Sequence, residues 1–100
     1  MAEPLTAAAV AHALNSLPNW SGDTAALMRT FRFPGFPAAI AFMHACTAGI
    51  EQNHHHPEWS NVYDRVSIRL STHDAGNRVT ALDVALATLL ETTAKQHGGS

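Results

Sequence analysis

The segment from Val62 to Leu70 alternates between two kinds of side chain, and this alternation constrains the fold more than any other feature of the sequence. Apolar residues hold every even position except 64. The odd positions hold Tyr63, Arg65, Ser67 and Arg69. Successive side chains of a β-strand point to opposite faces, so the pattern predicts strand structure with one apolar and one polar face. It leaves open whether the segment is one long strand or two strands joined by a tight turn at Asp64–Arg65.

A second strand-like region lies earlier in the chain. The residues Ser21-Gly22-Asp23 predict a turn, and a strand is expected from Leu27 to Phe33. Leu27, Phe31 and Phe33 share one parity, which Arg29 interrupts. The region that begins at Trp20 is therefore expected to form a strand pair with one face on a core.

Capping residues predict the first and last helices. Thr6 is a suitable N-cap for a helix that stops at Pro18. Thr80 is followed three residues later by Asp83, the pattern of a capping box, and the spacing of the following apolar residues is helical. We therefore expect one helix near each end of the chain.

A middle helix is predicted between the strand regions. It opens in Pro34-Gly35-Phe36-Pro37, where proline is tolerated in the first turn, and ends near Asn53. Residues at helical spacing predict its buried stripe. These residues are Phe36, Ile40, Met43, Thr47 and Ile50. Phe42 and Cys46 lie on an adjoining face, so we expect this helix to be covered on more than one side.

The order helix, strands, helix, strands, helix predicts an α+β fold with helices on one face of an antiparallel sheet. One hundred residues are enough for one hydrophobic core. We therefore expect a single domain over residues 1–100, with a flexible C-terminal tail at about 97–100.

The composition excludes several classes of protein. Hydrophobic residues make up 46%, too many for a disordered chain, and the single cysteine excludes a disulfide framework. The net charge is -2 and the six Lys and Arg residues are dispersed, so nucleic-acid binding is not expected. No apolar run has the length of a membrane span and no secretory signal is present. We expect a soluble protein of the cytoplasm, bound to no membrane.

Four of the seven histidines fall in one window, as His54-His55-His56 ahead of Pro57 and as His73. A hairpin between them would bring His73 to the histidine triplet. The resulting concave site would have an aromatic wall from Trp59 and carboxylates at Glu51 and Glu58. Imidazoles titrate near neutrality, so this cluster favours acid/base chemistry on a neutral or weakly charged planar substrate.

Two other interpretations of the cluster stay open at this point. His73 and Glu51 could complete a metal site with two of the three adjacent histidines, although the thiolates and spacings of zinc sites are missing. The cluster could also be a solvated loop. No nucleophile is indicated, because Cys46 lies within a helix and Ser71 and Thr72 lack a glycine-rich elbow. An enzyme built on this cluster would be a lyase or isomerase that moves protons without a cofactor or metal.

A longer pattern surrounds the histidines and resembles the signature of the pterin-4a-carbinolamine dehydratases. It consists of Glu51, His55-His56-Pro57, Glu58-Trp59, Asn61-Val62-Tyr63, Val66, Ile68, Leu70, Ser71-Thr72-His73 and Asp83. The resemblance implies an α-β-β-α-β-β-α fold, in which a four-stranded antiparallel sheet carries three helices on one face. It would place the hairpin turn at Asp64–Arg65 and implies a homo-oligomer, dimer or tetramer.

The resemblance also implies an activity and its residues. The family removes water from 4a-hydroxytetrahydropterin, giving quinonoid dihydropterin for reuse by aromatic amino acid hydroxylases. The catalytic residues implied are His55, His56 and His73. Those implied to bind substrate are Glu51, His54, Trp59, Ser71, Thr72 and Asp74. Our hypothesis is that His55 and His73 exchange the roles of acid and base while His56 orients the pterin.

Two positions are interpreted differently from the rest of the pattern. As a capping-box carboxylate, Asp83 is expected to stabilise the start of the last helix, and a catalytic role for it is the alternative. The loop from Asp74 to Thr80 is one residue longer than is common in the family, with the insertion at Asn77-Arg78. An alternative function is that of an interaction protein of the same fold, a dimerisation cofactor or assembly factor. Degenerate members of that kind lose the histidines, which this chain keeps.

Overall fold

In the computed structural model, which describes residues 2–100, three helices and four strands alternate along the chain. They are α1 (Ala7–Leu14), β1 (Ser21–Gly22), β2 (Leu27–Arg32), α2 (Phe36–Gln52), β3 (Glu58–Val62), β4 (Arg65–Leu70) and α3 (Ala81–Gln96). A 3-10 turn, His73–Ala75, lies between β4 and α3. The predicted α+β fold is confirmed.

The four strands form one antiparallel sheet in the order β1-β2-β4-β3. Strands β2 and β4 pair along their whole length, from Leu27 opposite Leu70 to Arg32 opposite Arg65. The alternating segment is therefore two strands. Their turn consists of Tyr63 and Asp64, one residue earlier than predicted, because Arg65 pairs with Val62 and belongs to β4.

The first strand also differs from the prediction. Ser21 and Gly22, expected in a turn, are β1 itself and pair with Met28 and Leu27. The turn follows them, where the Asp23 carboxylate accepts a hydrogen bond from the Ala25 amide at 2.8 Å. Gly22 has a φ of 144°, and a Cβ there would lie 2.1 Å from the Ala26 carbonyl oxygen. Only glycine fits this close strand-to-turn approach.

The core lies between the sheet and the helices. Leu27 and Phe31 of β2 are buried together with Val66 and Leu70 of β4, the inward-facing residues of the two central strands. Phe42 of α2 packs against this surface, with its ring centroid 5.5 Å from that of Phe31. The apolar parity predicted for the strand segments therefore faces the helices, except at Val62, which pairs with Arg65 across the turn and is 59% exposed.

The predicted buried stripe of α2 is only partly correct: Ile50 is buried and Met43 packs partly buried against the core, and the adjoining face of Phe42 and Cys46 is covered as expected. The residues that α2 buries are Ala39, Phe42, Cys46 and Ile50. Phe36 and Ile40 are instead 48% and 42% exposed. Both stripes have helical spacing, and the aromatic contact of Phe42 with Phe33, at 4.9 Å between centroids, selects the face that meets the sheet.

The C-terminal residues run back along the end of β2. Ser100 and Arg32 exchange two backbone hydrogen bonds, of 2.9 and 3.0 Å, and the Gly99 amide donates to the Ala94 carbonyl at 2.8 Å. The flexibility expected for residues 97–100 stays a prediction. Within residues 2–100, none of the helices has the length and apolarity that crossing a bilayer requires.

Candidate active site

The histidine triplet and His73 line one cavity of about 290 Å³. Its other lining residues are Ser71, Thr72, Asp74 and Leu82. A larger concavity, of about 560 Å³, crosses the open face of the sheet and contains no histidine. The smaller cavity is the better candidate for an active site, because acid/base chemistry needs titratable groups that converge on one space.

The β3–β4 register explains why distant histidines meet. Strand β3 starts at Glu58, opposite Arg69 of β4. In an antiparallel pair, residues just before the start of one strand lie beside those just after the end of the other. At the end of α2, His54 has a left-handed backbone (φ 51°), and the turn it forms leads His55 and His56 into this region.

His55 is held from behind by a buried carboxylate. It is 9% exposed, and its Nε2 lies 2.6 Å from Oδ1 of Asp83, which is fully buried. The other oxygen, Oδ2, accepts hydrogen bonds from the Thr72 hydroxyl at 2.8 Å and the Thr80 amide at 2.9 Å. An ionised carboxylate only accepts, so Nε2 of His55 carries the proton and Nδ1 is the ring nitrogen left free for other chemistry.

Asp83 therefore performs two tasks. Thr80 and Asp83 form the capping box at the start of α3 that the sequence predicts. The same carboxylate contacts His55 and Thr72, so the start of α3 is bonded directly to the lining of the cavity. Thr80 completes the network through a 2.7 Å hydrogen bond between its hydroxyl and that of Thr72.

The other two histidines have weaker, exposed partners. Nδ1 of His73 lies 3.2 Å from Oδ1 of Asn77. Nε2 of His56 lies 3.3 Å from Oε1 of Glu51, where both side chains are more than 60% exposed. Water screens such a pair, so its net contribution to stability is small, about 0–1 kcal/mol.

The predicted site residues divide into two groups. Seven of them line the cavity: His54, His55, His56, Ser71, Thr72, His73 and Asp74. Glu51 reaches it only through His56, and Asp83 lies behind His55. Trp59 borders the larger concavity and packs its ring against Phe42, at 6.3 Å between centroids. The catalytic and substrate-binding roles of all these residues stay predictions.

Two residues near the site were not predicted. Leu82, 38% exposed in the first turn of α3, supplies the cavity's apolar side chain. Leu82 lies two residues after the N-cap Thr80, at the helix start that borders the cavity. This position in the sequence could have indicated that Leu82 lines the site. Asn77 lies in the longer loop, and nothing in the sequence indicates its bond to His73.

Cys46 is not available as a nucleophile. It lies on the buried face of α2, and this burial raises the pKa of its thiol to about 11 against the weaker opposing effect of a hydrogen bond with Thr93. Thiol chemistry requires the thiolate, which is scarce near neutral pH in such a group. Within residues 2–100, no group of three or more His, Cys, Asp or Glu side chains has an arrangement that could hold a metal ion.

Fold and cavity together define an α+β protein whose imidazoles converge where a strand hairpin meets a helix start. The sequence model of the family described as pterin 4 alpha carbinolamine dehydratase matches residues 3–93. The chain belongs to this family.

Relatives and a solved structure agree with this assignment. A protein of Opitutus terrae is 48% identical over 87 residues, covering 87% of this chain and 90% of the relative. A Rhizorhabdus wittichii protein is 48% identical over 95 residues, covering 93% and 97%. Both carry the provisional name pterin-4-alpha-carbinolamine dehydratase. The crystal structure of a Brucella melitensis protein, described as a transcriptional coactivator/pterin dehydratase, superimposes with a TM-score of 0.87 at 36% identity, covering 92% of this chain and 99% of that one.

Proposed function

We propose that this protein is a hydro-lyase that removes water from 4a-hydroxytetrahydropterin and releases quinonoid dihydropterin. Family membership supports the reaction class. The observation that carries the proposal for this chain is the buried bond between His55 and Asp83, at the back of a cavity that also contains His56 and His73. A buried carboxylate that orients an imidazole at an open cavity is a frequent arrangement in acid/base catalysis.

The reaction needs two proton transfers and no change of oxidation state. One group protonates the 4a-hydroxyl, so that the C–O bond breaks and water leaves. The other removes a ring N–H proton, whose electron pair forms the new C=N bond. We assign these transfers to His55 and His73, which exchange the roles of acid and base, and the orientation of the pterin to His56. Each transfer typically contributes about 10²- to 10⁴-fold.

The cavity has groups suited to a flat, polar heterocycle. The Leu82 side chain offers an apolar contact, while the backbone and side chains of His54, Ser71, Thr72 and Asp74 offer hydrogen-bonding groups. The Ser71 hydroxyl donates to the Ala25 carbonyl at 2.9 Å, which fixes its rotamer. We propose that these residues bind the substrate. Glu51 would act through its contact with His56, and Trp59 would contribute from a greater distance. An aromatic amino acid hydroxylase is the enzyme class that would supply the hydroxylated pterin.

The test is a dehydratase assay on enzymatically generated 4a-hydroxytetrahydropterin, followed by ultraviolet absorbance. We expect His55→Ala and His73→Ala each to lower the rate about 10²- to 10⁴-fold. His44→Ala is the matched control, because His44 is exposed on α2 and does not line the cavity. A wild-type rate equal to the spontaneous background would refute the proposal, and full activity in His73→Ala would refute the residue assignment.

A second function is supported by a different observation. The Brucella melitensis neighbour is described as a coactivator as well as a dehydratase. In this chain, Phe36, Ile40 and Thr47 form an outer stripe on α2, in which Phe36 and Ile40 are more than 40% exposed. Exposed apolar patches frequently mark protein interfaces. We propose the outer stripe as a contact surface between copies of this chain. The alternative to catalysis is the function of an interaction protein, a dimerisation cofactor or assembly factor.

A further inference from the structure

The loop that follows His73 is wound tightly back onto Thr72. Two successive residues have left-handed backbones, Gly76 at φ 76° and Asn77 at φ 60°. The backbone N–H of Asn77 donates to the backbone carbonyls of Thr72 and His73, at 3.1 and 3.3 Å, and Arg78 pairs with Thr72 in a β-bridge. After glycine, asparagine is among the residues that adopt this conformation most readily, so Asn77 is suited to its place.

This winding brings the Asn77 side chain to the His73 ring. Its amide oxygen, Oδ1, lies 3.2 Å from Nδ1 of His73, within hydrogen-bonding distance. An amide oxygen only accepts, so Nδ1 must carry the proton. The proton-accepting nitrogen of neutral His73 is then Nε2.

The two histidines are therefore held in opposite ways. Asp83 holds His55 by Nε2, and Asn77 holds His73 by Nδ1. Each ring keeps a different nitrogen free, and the nitrogen that is bonded determines which one this is. We propose that Asn77 is a positioning residue for His73: it selects the tautomer in which Nε2 of His73 exchanges protons with the substrate. This inference rests on the proposed dehydratase function.

The tautomer can be measured without the reaction. Long-range ¹H–¹⁵N correlation spectra of the full chain, with His73 assigned by comparison with His73→Ala, report which ring nitrogen is protonated. Above the titration of the ring, we expect the Nδ1–H form in wild type. Asn77→Gly removes the acceptor while keeping a residue that tolerates a φ of 60°. We expect its His73 ring to populate both tautomers.

Activity gives the second measurement. We expect Asn77→Gly to lower kcat roughly 3- to 10-fold, the equivalent of one neutral hydrogen bond, with KM changed by less than about two-fold. Asn77→Asp retains an oxygen acceptor and is expected to keep the Nδ1–H form, which a merely structural role would not require. Asn77→Ser, a short side chain placed at the same backbone, is expected to behave like Asn77→Gly.

The outcomes separate this inference from the proposed function. A wild-type ring protonated at Nε2, or the same tautomer in wild type and Asn77→Gly, overturns the role of Asn77 whatever the activity. The expected tautomer change in a wild-type protein without dehydratase activity would support the contact and refute the reaction. If Asn77→Gly were to unfold, Asn77→Asp with wild-type stability but the Nε2–H form would still contradict the inference.

Discussion

At the scale of single residues, Asp83 connects folding to chemistry more directly than any other group of the site. It is fully buried and accepts three hydrogen bonds, from Thr72, Thr80 and His55. The first two stabilise the start of α3 and the end of β4. The third orients an imidazole. Because one carboxylate serves all three, its replacement should affect stability and rate together.

We expect Asp83→Asn to lower both quantities. The amide must place a donor against either the Thr80 amide or Nε2 of His55, and the second choice forces His55 into its other tautomer. Leaving a buried donor unsatisfied costs about 1–3 kcal/mol, and a wrong tautomer lowers kcat by about 10²-fold or more. Urea denaturation and the dehydratase assay measure these effects. Asp23→Asn is the control, since an asparagine oxygen can still accept from the Ala25 amide.

At the scale of elements, α2 was predicted with the correct position, but its main buried stripe was only partly correct. The helix was expected from Pro34–Pro37 to about Asn53 and is found at Phe36–Gln52. Two apolar stripes run along it, and periodicity alone does not say which one meets the sheet. The contacts of Phe42 with Phe31 and Phe33 decide this, and both partners lie outside the helix, so its own periodicity does not reveal them.

Two identical substitutions in α2 test this rotation. We expect Phe42→Ala to lower the free energy of unfolding by about 3–5 kcal/mol, because it leaves a cavity between α2 and the sheet. Phe36→Ala should change it by less than about 1 kcal/mol, because that ring is 48% exposed. Urea denaturation measures the free energy of unfolding of both variants. It is carried out at protein concentrations low enough that the midpoint no longer depends on concentration. Equal losses for the two variants would contradict the observed rotation.

At the scale of the whole molecule, the exposed apolar surface of α2 favours association between copies of the chain. One side of the sheet carries helices, while the outer stripe of α2 leaves apolar surface in contact with water. Burial of such surface contributes about 25 cal/mol per Å², which favours a second copy of the chain as its cover.

We expect Ile40→Asp to shift the protein towards the monomer, because it places a charge within the proposed contact surface. Sedimentation velocity over a range of concentrations measures the shift. Ala45→Asp adds the same charge to an exposed position of α2 outside the outer stripe and should leave assembly unchanged. A wild-type protein that stays monomeric at high concentration would contradict the expected homo-oligomer.

The sequence by itself determined the three helices, most of the strands and most of the cavity lining, because the signals for them are local. Strand parity, the capping residues Thr6 and Thr80, and the histidine pattern are all readable within short windows of the chain. Seven of the predicted residues therefore line one cavity.

Only the tertiary structure decided the rest, because each remaining feature depends on contacts between separate elements. The rotation of α2 follows from packing on β2, and the turn at Tyr63–Asp64 follows from strand register. The bond between His55 and Asp83 joins residues 28 positions apart. The sequence supplied the imidazoles, but which nitrogen each one leaves free depends on the partners that the fold places beside them.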